Sequence, residues 1–246
     1  MGAVHKAFDP LLNRTVSIRT IDAGAQVDRA AFKGKFLREV RLVAKLNHPN
    51  IAAVHDFGES ENRLFIVMDY VEGEPLRDYL RSRRLTLEQK IHLSLTVIDA
   101  VQYMHSKGVI HGELNPGTIM LGADGKPIVI HYGGAVSTED SGKHRGARVS
   151  RSSIPYQSPE QARGAFGAVD ERSDIYGLGM TLYELFTEKT PFGRFTKEQD
   201  LRAAVLNEMP MPPSSFDPNL PKEIELIILK CVAKDKADRY PTGCCI

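Results

Sequence analysis

The sequence has no apolar run near the roughly 20 residues that a membrane-crossing helix requires. Its opening, MGAVHKAFDP, lacks the apolar centre of a secretion signal. Cysteine is scarce. Cys231, Cys244 and Cys245 are the full set, all within the last 16 of 246 residues, and they show neither zinc spacing nor a disulfide framework. That usage fits free thiols in a reducing cytoplasm. A charge excess is lacking too. Lys plus Arg number 32 against 31 Asp plus Glu, a formal net charge of +1, so nothing global favours nucleic acid or an acidic membrane as partner. No internal repeat is visible.

What the chain does have is 42% hydrophobic residues, enough for a sizeable core in one large domain or two lobes. RTVSIRTI at 14–21 alternates as a strand does, with Val16 and Ile18 on one face and Ser17 and Arg19 on the other. RLFIVMDYV at 63–71 is nearly continuous in apolar residues, as a central strand would be. Between them, Phe32, Phe36, Val40 and Val43 recur at helical spacing, and Glu39 falls within that apolar stripe. A carboxylate there needs a partner. Beyond residue 72 the pattern turns helical. Thr86 and Gln89 stand at capping-box spacing, Ile91, Leu95, Ile98 and Val101 form the expected apolar face, and Gly108 supplies a stop. Asp124-Gly125 marks a hairpin within 119–130. Residues 134–153 carry no period and read as a long mobile loop. Helices are expected at 173–186, apolar almost all round, and at 223–234. Strands first and helices afterwards predict an α+β chain in two lobes, 1–71 and 72–246, joined near YVEGEPL.

Ordered motifs in this frame resemble those of a protein kinase domain, and are most similar to bacterial Ser/Thr kinases of the eukaryotic type. VSIR at 16–19 stands where the family has V-A-I-K, and Glu39 where it has the glutamate that pairs with that lysine. HGELNPGT at 111–118 stands for H-R-D-L-K-P-x-N, HYG at 131–133 for D-F-G, and SPE at 158–160 for A-P-E. Asp174 matches the family's buried helix aspartate, and Arg239 the arginine that pairs with the glutamate of A-P-E, here Glu160. The resemblance implies a bilobal fold with a small β-rich N-lobe, its first strand missing, and a larger helical C-lobe that stops within the last helix. Only Gly2 and Val4 remain of the glycine-rich loop G-x-G-x-x-G-x-V, so the chain reads as a degenerate remnant or a fragment of a longer protein.

The same resemblance shows what has changed. Kinase chemistry needs a phosphate cradle, magnesium ligands and a base aimed at the acceptor hydroxyl. Arg19 replaces the lysine, a planar fork for a compact charge. Glu113 holds the base position with one extra methylene, and a misplacement of about 1 Å can cost on the order of 100-fold in rate. Asn115 replaces the lysine of the catalytic loop. Thr118 and His131 replace the two magnesium ligands, and imidazole suits softer metals than magnesium. His111 and His131 make no zinc pair, because no nearby Cys or carboxylate completes a tetrahedral set; His111 is expected to be a packed structural histidine. The adenine pocket is partly kept: Val4 and Met120 would sandwich the ring, Met68, Tyr70 and Val71 would line the hinge, and Ser17 adds a hydroxyl. ATP is therefore implied as a weak ligand, with magnesium not expected. His111, Tyr132, Val43 and Val54 would form the apolar stack joining the lobes. Ser150, beside Arg148 and Arg151, is a phosphorylation candidate, but Gly112 removes the arginine that usually receives such a phosphate.

Three readings follow. The leading one is a pseudokinase, a kinase-fold scaffold that docks other proteins, an active kinase or signalling component among them. The second is an active but atypical Ser/Thr kinase with Glu113 as base. The third is a remnant without function.

Overall fold

The computed structural model describes residues 4–21, 29–60, 63–130, 136–137 and 151–246. The smaller lobe is an antiparallel sheet of β1 (Val4–Asp9), β2 (Arg14–Ile21), β3 (Val54–Ser60) and β4 (Arg63–Asp69), in the spatial order β1-β2-β4-β3. Alternation along β4 buries Leu64, Ile66 and Met68 on one face. The helix α1 (Arg29–Val43) covers that face with Phe36 and Val40. Each of these five side chains contributes on the order of 1.5–3 kcal/mol relative to exposure. β4 stops at Asp69, two residues short of the expected 71.

β5 (Gly73–Pro75) leads into the larger lobe, which contains α2 (Leu76–Ser82), α3 (Leu87–Ser106), β6 (Val109–Ile110), β7 (Ile119–Gly122), β8 (Pro127–Val129) and β9 (Val136–Ser137). Then come α4 (Pro159–Ala162), α5 (Glu171–Thr187), α6 (Glu198–Asn207) and α7 (Lys222–Cys231). The architecture is therefore mixed α+β and bilobal. The hairpin β7–β8 turns at Gly125, whose φ of 78° lies in the left-handed region open to glycine. The expected loop 134–153 falls largely outside the described residues; its last part, from Arg151, is already the start of a 3-10 turn running to Tyr156.

α5 is the axis of this lobe, with every residue from Ser173 to Thr187 buried. Two glycines let its neighbours approach. A side-chain carbon at Gly177 would lie 2.8 Å from the Leu114 carbonyl oxygen, and one at Gly179 would lie 2.5 Å from Cys231 Cβ. α3 packs beside α5, and its N-terminus carries the full capping box of Thr86 and Gln89. The apolar face expected for α3 is corrected in part. Val101 is buried, but Ile91 is 38% and Leu95 60% exposed, while Lys90, Leu93, Ser94 and Val97 face inward. Lys90 is drawn in because its ammonium donates to the Phe186 carbonyl (3.3 Å) and to Glu188 (3.0 Å) at the C-terminal end of α5, where the helix dipole favours a cation.

The lobes share one core. Val43 of α1 belongs to the same cluster as Leu76, Leu114 and Val129, and Val54 packs against it. The backbone stitches the same seam: Ala52 N donates to Val129 O and Val129 N to Asn50 O, at 2.9 and 2.8 Å.

Candidate active-site cleft

The loop 111–118 is held from below by one carboxylate. Asp174, on the first turn of α5 and 2% exposed, accepts from the backbone N–H of His111 (2.7 Å) and of Gly112 (2.8 Å), and pairs with His105 Nε2 (2.9 Å). Burial alone would raise the pKa of Asp174; the hydrogen bond and charge of His105 lead the opposing effects and hold it below its ordinary value. Gly112 has a φ of 77°, a conformation costing other residues about 1–2 kcal/mol. His111 is 1% exposed and depressed in pKa, chiefly by burial, so it is neutral. Its Nδ1 accepts from Glu113 N (3.1 Å), which leaves Nε2 to donate to the Ile130 carbonyl (3.3 Å). His111 is thus the packed histidine expected. Among the described residues no group of three or more His, Cys, Asp or Glu could hold a metal ion.

The loop's remaining polar groups are spent on one another. Asn115, 4% exposed, donates through Nδ2 to the Glu113 carbonyl (2.7 Å). Its Oδ1 accepts from Gly117 N and from the Arg77 guanidinium, both at 2.9 Å. Thr118, 5% exposed, donates its hydroxyl to the Asn115 carbonyl (2.9 Å) and accepts from Asn115 N (3.1 Å). The Thr118 hydroxyl thus bonds within its own loop, at the position where the resemblance sets a magnesium ligand. Glu113 is half-buried beside these groups. His131, with Tyr132, lies outside the described residues.

The upper side of the cleft follows from strand register. Val4 pairs with Arg19 and Arg19 with Ile66, while Ser17 pairs with Met68. Cross-strand partners share a face, so Val4, Ser17, Arg19 and Met68 lie together on the face that α1 covers. Arg19 is 9% and Met68 4% exposed; Val4, at the open end, is 50% exposed. Glu39 is half-buried on α1. Tyr70 and Val71, just beyond β4, and Met120, on β7, are half-buried across the hinge. The expected adenine-pocket side chains are therefore divided between the two sides of one cleft. Lys6 was not foreseen. It lies on the Ser17 face, with its ammonium 4.3 Å from the centre of the Tyr70 ring.

Arg77 was also missed, because a single arginine in GEPLRDYL has no pattern around it. It links α2 to Asn115 and, at 3.4 Å, to the Ser152 carbonyl. Beside it Tyr156 donates its hydroxyl to Glu184, a buried carboxyl whose pKa burial raises. Farther down, Glu160 and Arg239 form the expected pair in bidentate geometry, Nη1 to Oε1 at 2.8 Å and Nη2 to Oε2 at 3.0 Å.

A β-sheet lobe with a buried arginine under its single helix, a hinge, and a loop strapped to a helix aspartate define the bilobal protein-kinase architecture. The chain belongs to the protein kinase domain family, whose sequence profile matches residues 1–244. It is 36% identical to the serine/threonine-protein kinase PknB of Mycobacterium tuberculosis and 32% identical to PrkC of Bacillus subtilis, each over 99% of this chain. It spans 39% and 37% of those proteins' lengths, little more than a third of the curated relatives it matches. The crystal structure of the Mycobacterium tuberculosis PknI kinase domain superposes with a TM-score of 0.76 at 26% identity, covering 99% of this chain and 87% of that one. The kinship to bacterial Ser/Thr kinases is thereby established, as is the bilobal fold. No helix among the described residues is long and apolar enough to cross a membrane.

Proposed function

We propose that this Ser/Thr-type kinase domain is a pseudokinase: a scaffold that docks other proteins in the cytoplasm, holds ATP weakly and makes no productive use of magnesium. The observation that carries the reading is the closed hydrogen-bond circuit of Asn115 and Thr118. Where the family presents a cation and a metal ligand, these two side chains satisfy the loop's own backbone. Glu113 and Arg19 add a displaced base and a bulkier cation, and residues that act as a unit fail together.

The comparisons favour the second reading, since the curated relatives named above are called kinases across the whole of this chain. In that reading Glu113 accepts the proton of a protein hydroxyl and ATP is the phosphoryl donor. One experiment separates the two. Incubated with radiolabelled ATP and magnesium, the protein should incorporate no label into itself or into a generic basic substrate. Incorporation that rises with time and disappears in Glu113→Ala establishes the active kinase. Thermal melts with millimolar ATP address the nucleotide. Ligand at 100 times its dissociation constant stabilises a fold by about 2.7 kcal/mol, and here any gain should be small and equal with and without magnesium. A gain seen only with magnesium overturns the proposed metal independence.

A further inference from the structure

The outer face of α1 carries charge of one sign. From Arg29 to Lys45 the sequence holds six Arg or Lys and a single acid, Glu39, in a chain whose formal net charge is only +1. Helical spacing sorts these residues. Phe36, Val40 and Val43 are buried against the sheet and the shared core. Gly34, Arg38 and Arg41 fall on the opposite side, four and three residues apart. Lys45 extends that line through the turn that follows, where Ala44 N still donates to Val40 O (2.8 Å). Arg38, Arg41 and Lys45 are all exposed. Gly34 adds no side chain, and the Arg38 guanidinium lies near it: a carbon built there would sit 3.7 Å from Nη1.

Several exposed cations elsewhere have acids beside them. Arg81 pairs with Asp78, Arg83 with Glu74, Lys126 with Asp124 and Arg202 with Glu198. On α1 itself Lys33 pairs with Glu59 of β3 (2.6 Å). Arg38, Arg41 and Lys45 form no ion pair among the described residues. Like charges three and four residues apart on a helix repel. The helix dipole offsets this for Arg41 and Lys45, at the C-terminal end, but not for Arg38, and it does not account for the missing acids. Solvation alone would be served by mixed charges, as at the paired sites.

From Arg38 to Lys45 the line runs about 10 Å, at about 1.5 Å per residue. That is the span of about three residues of extended chain, so two or three carboxylates of one short segment reach it together. The planar guanidinium fork matches a carboxylate. Among the described residues α1 exposes no large hydrophobic side chain, and its apolar face is already buried, so nothing is left to insert into a bilayer.

We propose that the outer face of α1 docks a short acidic segment of a partner protein, held by Arg38, Arg41 and Lys45. The inference rests on the docking role proposed above and names the chemistry of the partner. Peptide binding tests it, whereas label incorporation tests that role, so the two can fail separately.

The probe is a fluorescein-labelled peptide of alternating glutamate and alanine, titrated with the full chain at low salt and followed by anisotropy. Exposed ion pairs are weak one by one, so removing three, in Arg38→Gln with Arg41→Gln and Lys45→Gln, should weaken binding by roughly 3- to 100-fold. That variant should melt no lower than the parent, because like-charge repulsion is relieved. Removing the same charge elsewhere, in Lys107→Gln with Lys126→Gln and Lys222→Gln, all exposed, should leave binding unchanged. At about 1 M salt, where charges are screened within about 3 Å, binding should vanish. Unchanged affinity in the α1 variant, an equal loss in the control variant, or binding that persists in high salt would each overturn the proposal. So would tighter binding to phosphatidylserine vesicles or to duplex DNA than to the peptide.

Discussion

Arg239→Met tests the deepest electrostatic contact of the fold. In the native protein Arg239 is 2% and Glu160 5% exposed. Glu160 accepts both guanidinium nitrogens and the Ser173 hydroxyl at 2.7 Å. Arg239 also donates to the carbonyls of Ala233, Arg172 and Lys234. Methionine fills much of the stem volume but leaves a buried carboxylate with only Ser173 for support. Breaking one half of such a pair costs roughly 3–5 kcal/mol. At about 2–4 °C per kcal/mol for a domain of this size, Tm should fall by roughly 6–20 °C. Glu160→Leu combined with Arg239→Met removes both charges, so the double variant should regain most of that loss, and denaturant melts of the cycle give the coupling. The acid limb adds a check. Burial alone would raise the Glu160 pKa, but the hydrogen bonds and charge of Arg239 hold it below the ordinary value. Its stabilisation is therefore full above the ordinary carboxylate pKa and is lost as pH falls through the depressed one; in Arg239→Met this part of the acid limb should flatten. A single-variant loss under about 1 kcal/mol, with an unchanged acid limb, would refute the reasoning.

Other expectations test the cleft and the lobe behind it. Arg19→Met and Glu39→Ala should show a coupling above about 1 kcal/mol in a double-mutant cycle if the two groups meet under α1; a coupling near zero would detach Glu39 from that role. Asn115→Lys should destabilise by about 1–3 kcal/mol, because it leaves Gly117 N and Arg77 without their shared acceptor and adds a like charge, whereas Asn115→Asp keeps that acceptor, loses only the donor to the Glu113 carbonyl and should cost less than Asn115→Lys; chemical denaturation reads both. Gly112→Ala should cost about 1–2 kcal/mol from its left-handed backbone alone, measured the same way. Lys234 is lowered to about 8 by burial, while its ammonium donates to Val205 O at 2.8 Å. Since the unfolded chain holds that proton longer, stability should rise as pH increases from about 8 toward the ordinary lysine value, and Lys234→Met should remove that rise from melts across the range.

The elements most legible in the sequence were those fixed by local chemistry. The α3 cap needed only Thr86 and Gln89, and the β7–β8 turn needed only Gly125. The inward face of α3 was misread because apolar residues occur nearly all round that helix, and the choice among them is made by α5, which draws Lys90 inward. β1 and β3 escaped notice as edge strands with exposed, polar burial patterns. In the cleft, the altered residue types were visible by comparison with kinase motifs. That Asn115 and Thr118 are consumed within their own loop was not, since it depends on a turn geometry set by Asp174 and Arg77 from distant parts of the chain.

The anchoring by Asp174 has a kinetic consequence. The amides of His111 and Gly112 are bound to a carboxylate in the most buried helix of the larger lobe, not to a neighbouring strand or to water. They can exchange with solvent only when α5 itself loosens, an opening near the top of the free-energy scale of local motions. In deuterium these two amides should therefore exchange among the slowest in the chain, at a rate indifferent to added nucleotide.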